Sequence, residues 1–127
     1  MHASHPLIVT WDDHESANNP WVGGAQNHQP EREGDWHVRR KVALQAFYEW
    51  MPVREPTVDG KREELWRHFS FGDLASMTTL ETRHTGRSLQ VTYSDHLDGI
   101  TGLSQRNQFL DEVLGDPNRT MLSSKME

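Results

Sequence analysis

Leu7-Ile8-Val9-Thr10-Trp11 is an unbroken apolar and β-branched run, the pattern of a buried strand, and it stops abruptly at Asp12-Asp13-His14-Glu15. Residues 16–28 then mix Asn, Gly and Pro and predict a loop, with Trp21 packed beside the acidic cluster. From Trp36 to Met51 apolar residues return at helical spacing. Trp36, Ala43, Phe47 and Trp50 share one face and Leu44, Tyr48 and Met51 a second, so much of this helix should be buried. Asp35 is its predicted N-cap and Pro52 its stop.

The clearest β pattern follows a stiff connector, Met51 to Pro56. Leu65 to Phe71 and Leu74 to Thr82 flank Gly72-Asp73, which predicts an antiparallel hairpin on a two-residue turn. Phe69 and Phe71 lie on one face of the first strand, and Leu74, Ser76, Thr78 and Leu80 on one face of the second. Arg83 to Gly102 reads as an irregular excursion. A second helix, capped by Ser104, carries Phe109, Leu110, Val113 and Leu114, with Gly115 and Pro117 as stop signals.

Composition narrows the picture. The 127 residues suit one modest domain, but only 34% are hydrophobic against 25% charged, so the core is thin. A net charge of -6 opposes a phosphate-backbone binder, and nucleic acid is disfavoured as a main partner. Without cysteine there is neither a disulfide framework nor a thiolate metal site, and the redox compartment stays open. No apolar run is long enough to span a membrane, and the first residues lack the pattern of a signal peptide.

Chemistry concentrates at the end of the first apolar run. Three carboxylates within four residues repel one another unless a cation, a proton or solvent relieves them, so the cluster is either a metal site or a solvated turn. Asp13 with His14 suits a hard or borderline cation beside an acid/base imidazole, with Asp12 and Glu15 as support. The remaining histidines, His84 among them, form neither a His-x-His pair nor a His-Glu-x-x-His helix and read as surface or packing residues, with His28 the nearest helper. The five tryptophans read as core anchors. In Arg39-Arg40-Lys41 the bland reading is a solvated stripe, and the sharper one turns an arginine inward to meet acids or a phosphate. Phosphate-binding glycine loops and the Gly-x-Ser-x-Gly elbow are absent from the sequence.

Several stretches, in order, resemble the PhoD-like (alkaline phosphatase D) family. They are Val9-Thr10-Trp11-Asp12-Asp13-His14-Glu15, Asn18-Asn19, Ala46 to Arg54, Phe69-Ser70-Phe71-Gly72-Asp73-Leu74, Leu80-Glu81-Thr82-Arg83 and Arg119-Thr120-Met121-Leu122. The resemblance implies an α/β fold, part of the four-layer α/β/β/α sandwich of calcineurin-like metallophosphoesterases, and a dinuclear metal centre that activates water against a phosphoester. Asp13 then takes the metal-ligand position and His14 the catalytic position at the phosphate or leaving group. Asp12, Glu15, Asn18 and Asn19 become supports or substrate contacts. Calcium and iron are the metals the resemblance suggests, and a small phosphoester is the implied substrate.

The family's other metal motifs should lie upstream of Asp13 and downstream of Leu122, so the chain reads as an internal fragment of one such domain, partnered by the remainder of that domain. Family members are often exported, which this sequence leaves undecided. The alternative reading is a non-catalytic metal-binding or interaction module from the same family. A standalone hydrolase of unrelated type would rest on the acidic cluster alone.

Overall fold

In a computed structural model the described residues are 4–56, 62–92 and 94–123. Helix α1 (Pro30–Glu33) leads into the long helix α2 (Trp36–Trp50), followed by strands β1 (Arg67–Phe71) and β2 (Ala75–Thr79). The short α3 (Ser94–Leu97) and α4 (Leu103–Phe109) come next, and α4 runs into a π-helical turn, Leu110–Leu114. This is a small α/β arrangement whose sheet is the antiparallel pair β1-β2.

Helix α2 starts where its cap chemistry requires. The Asp35 side chain accepts a hydrogen bond from the Val38 N–H at 3.1 Å, filling one of the donors that a helix start leaves open. Its buried residues are Trp36 and Leu44, with Phe47 and Tyr48 partly covered, whereas Trp50 is 85% exposed. The two-faced burial expected from spacing therefore holds only where Leu44, Phe47 and Tyr48 meet Trp11 and where Trp36 meets Ala17 and Ala25. At the far end no described element covers Trp50.

The Leu7–Thr10 run is a correction. It pairs with no strand among the described residues, and Ile8 is 44% exposed. A run of β-branched residues becomes a strand only when a neighbouring backbone takes its hydrogen bonds, and none of the described segments does so.

The hairpin forms where expected, with shorter strands and a longer turn. Phe71 pairs with Ala75, so Gly72, Asp73 and Leu74 all lie in the turn, and the Leu74 N–H donates to the Phe71 carbonyl at 3.2 Å. Gly72 supplies the positive φ of 55°. Ser104 does not cap α4; Gly102 occupies that position without a side-chain hydrogen bond. Tyr93, within the irregular excursion, lies outside the described residues.

Two small cores result. Trp11, Leu44 and Leu65 form one, with Phe47, Tyr48 and Val53 against it, and Trp11 meets Phe47 edge-on at 5.3 Å between ring centres. Trp36 joins Ala17 and Ala25 in the other. Of the five tryptophans, Trp11 and Trp36 anchor cores, while Trp50 and Trp66 are exposed. Trp21 lies over the glycines, so close that a β-carbon on Gly24 would stand 2.6 Å from its ring.

Candidate active site

Trp11 is the last apolar residue before the acidic motif, and its surroundings decide where that motif points. The indole N–H of Trp11 donates to Glu81 Oε1 at 2.9 Å, and Glu81 is fully buried. The same carboxylate accepts from the N–H groups of Arg83, His84 and Thr85 at 2.8, 2.7 and 2.9 Å, and from the Thr85 hydroxyl. Burial pushes the Glu81 carboxyl up, but these donors, Thr85 foremost, outweigh it and hold the group below the ordinary carboxylate range. Glu81 thus folds the 81–85 segment around itself and ties it to Trp11.

His84 is buried beside the same tryptophan, with ring centres 5.2 Å apart. Its Nε2 lies 3.5 Å from the Ser16 hydroxyl, and its Nδ1 is buried without a partner among the described residues. Desolvation, opposed by Glu81, pushes its pKa down to about 4, so the ring is neutral at physiological pH. Sequence reading placed His84 with the surface or packing histidines, and packing it is, at the centre of the polar network.

Asp12 faces the segment that Glu81 shapes. Its Oδ1 accepts from Arg83 Nε at 3.2 Å and from Nη2 of the same guanidinium. Glu15 turns back on the motif, accepting from the Asp12 N–H at 2.7 Å and from the His14 N–H at 3.4 Å. Asp13 and His14 contact each other: His14 Nε2 stands 3.5 Å from Asp13 Oδ2, with side chains 72% exposed for His14 and 38% for Asp13, against 71% for Asp12.

Asn18 and Asn19 serve the following loop. Both side-chain amides donate to Gln26 Oε1, at 2.7 and 3.0 Å, and the Asn18 N–H donates to Asn27. Asn19 also donates its N–H to the Asp13 carbonyl at 2.8 Å, at a positive φ of 47°. The structure therefore brings Asp12, Asp13, His14 and Glu15 together in one turn and places the two asparagines behind it, with their side chains spent on the loop.

One arginine of the basic stripe does turn inward. Arg40 donates to the His84 and Val22 carbonyls at 3.0 and 3.3 Å and to Glu63 at 3.2 Å, joining α2 to three separate segments. Arg39 instead pairs with Glu33 at 2.8 Å, beside His28.

Among the described residues no three His, Asp or Glu side chains converge to hold a metal ion. A hard divalent cation takes about six oxygen ligands, so a metal held at this turn would need donors besides the side chains the turn brings together. Asp13 offers one open carboxylate. A cleft of about 640 Å³ lies elsewhere, between Arg54, Trp66 and Phe69, and no residue of the acidic motif lines it.

The family model of the PhoD-like phosphatases matches residues 1–126. The chain belongs to the PhoD-like phosphatase family. It is 36% identical over 130 residues to alkaline phosphatase D of Bacillus subtilis (strain 168), an alignment covering 99% of this chain. The chain spans 19% of the length of that relative. No solved structure matches it. Among the described residues no helix is long and apolar enough to cross a membrane.

Proposed function

We propose that this chain supplies one wall of a metal-dependent phosphoester hydrolase, with Asp13 as a metal ligand and His14 as the catalytic contact to the phosphate or its leaving group. The observation that carries this reading is the division of labour inside the acidic turn. Arg83 pairs with Asp12 and Glu15 is spent on backbone N–H groups, so Asp13 and His14 remain as the pair whose side chains make no hydrogen bond or ion pair beyond their own among the described residues.

On this reading residues 1–127 form part of a single PhoD-like domain of the metallophosphoesterase sandwich type, and the other metal ligands belong to portions of that domain beyond this chain. Calcium and iron are the metals that family resemblance favours. The chemistry a bound metal pair would supply is a more acidic water and relief of charge on the phosphoryl oxygens. What the chain's own residues contribute is placement. Glu81 holds Trp11, Arg83 holds Asp12, and the two residues that follow are aimed from a fixed backbone.

The test exchanges the matching segment of the Bacillus alkaline phosphatase D for this chain and assays the chimera on an aryl phosphate. Activity should survive the exchange and drop by about 100-fold or more on Asp13→Ala or His14→Ala. A chimera that hydrolyses the ester regardless of Asp13 refutes the assignment. The 127-residue chain alone, supplied with Ca²⁺, Fe³⁺, Mn²⁺ or Zn²⁺, should show little turnover.

A further inference from the structure

Helix α2 buries Trp36 and Leu44 and leaves a second apolar row open. Val38, Val42, Ala46 and Trp50 follow one another at four-residue spacing, so they form a continuous ridge along the helix. All four are exposed, Val38 by 63%, Val42 by 62% and Trp50 by 85%. The polar side lies next to it, at Lys41, Gln45 and Glu49. Single exposed apolar residues are ordinary, but a connected row of them marks a surface that another element covers.

The ridge borders a groove of about 500 Å³ with small residues in its wall, where Ser16, Gly34, Ala43 and Ala46 line it together with Val38 and Val42. Small side chains let a second backbone come close. The charges at this groove are already employed: Arg39 pairs with Glu33 at 2.8 Å, and Asp35 accepts from the Val38 N–H as the helix cap. An incoming segment therefore meets apolar contact and no unmet charge. Ser16 directly follows Glu15, and its hydroxyl lies 3.5 Å from His84 Nε2, so whatever fills the groove lies beside the acidic turn.

We infer that this ridge and groove are the seat of a further segment of the same PhoD-like domain, an apolar stretch that packs on Val38, Val42, Ala46 and Trp50 and reaches the acidic turn at Ser16. The chain spans 19% of the length of the alkaline phosphatase D relative, which leaves ample polypeptide in a protein of that family to cover it. The position beside Ser16 favours such a segment over a second copy of this chain, because a metal at the acidic turn needs donors from other parts of the domain. The inference rests on the proposal that those parts lie beyond this chain, and it names the surface that receives them.

The test places one cysteine at a time on α2 of the chimera with the Bacillus alkaline phosphatase D and reads alkylation by mass spectrometry of the peptide that carries the new thiol. Val42→Cys should react about 100-fold more slowly than Lys41→Cys, its neighbour on the polar side, and Ala46→Cys, a smaller change, should be shielded with it. In the 127-residue chain alone, which has no cysteine of its own, positions 41 and 42 should react alike at every protein concentration. Equal rates at the three positions in the chimera overturn the seat. Shielding of position 42 in the chain alone that grows with concentration also overturns it, and assigns the ridge to a second copy. A chimera that shields position 42 yet cleaves no ester counts against Asp13 and His14 alone; one that cleaves the ester with position 42 open counts against the seat alone.

Discussion

Around Trp11, side chains far apart in sequence meet: an indole, a buried carboxylate, a buried imidazole and two guanidinium groups interlock residues 11–15, 40 and 81–85. Along residues 103–114, by contrast, α4 and its π-helical turn bury nothing, and the hairpin tip exposes Leu74 almost completely. Both regions contain regular or nearly regular backbone. The difference is that the first is held by polar groups that have no alternative partner once dehydrated, and the second by local hydrogen bonds that solvent could replace. In a chain with this few apolar residues, the order of the candidate site comes from buried polar contacts more than from oily packing.

The sharpest way to break this contrast is Glu81→Ala. It strands the Trp11 indole and three backbone N–H groups, and should destabilise the chain by about 3–5 kcal/mol in urea unfolding. If the loss is below about 1 kcal/mol, the network is not what holds this region. Acid should attack the same place next. His84 titrates near 6.5 when unfolded and about 4 when folded, so the unfolded chain takes up a proton that the folded one refuses. Its contribution is fully present above pH 6.5 and is lost as pH falls towards 4, by up to about 3 kcal/mol. Glu81, with its pKa held below 4.5, adds a further loss at lower pH as its carboxylate is protonated. Urea midpoints across that range should fall with acid, and His84→Gln should flatten the upper part of that fall.

Smaller effects sharpen the boundary. Asp35→Ala removes the cap of α2 and should cost about 1 kcal/mol, read as a shift in the urea midpoint. Leu74→Ser, at the exposed turn, should stay within about 0.5 kcal/mol. A large loss there would show that the hairpin tip is covered in solution.

Local rules made α2 and the hairpin legible. Asp35 and Pro52 bracket one, and Gly72 marks the other, because caps and turns are decided by neighbours in sequence. The Leu7–Thr10 run misled for the complementary reason. Its pattern is right for a strand, but pairing is a property of two segments, and no described segment lies beside it. In the site, crowding of charge picked out Asp12 to Glu15 as a group, and the structure gathers them in one turn. Glu81, Arg83 and His84 carried no spacing signal, since their roles arise from contacts with residues about 70 positions away. Leu80 to Thr82 read as the end of a strand, and only the family resemblance marked Leu80 to Arg83 as a unit.

The Trp11–Glu81 and Asp12–Arg83 contacts span 70 and 71 positions, which gives the acidic turn a history as well as a shape. On a ribosome adding about 5–20 residues per second, the motif waits on the order of 4–14 seconds before its partners exist. During that interval Asp12 has no guanidinium and Trp11 no acceptor, while Leu7 and Ile8 stand open to other chains. The turn that carries Asp13 and His14 can therefore take its final arrangement only after residues 81–85 have been made.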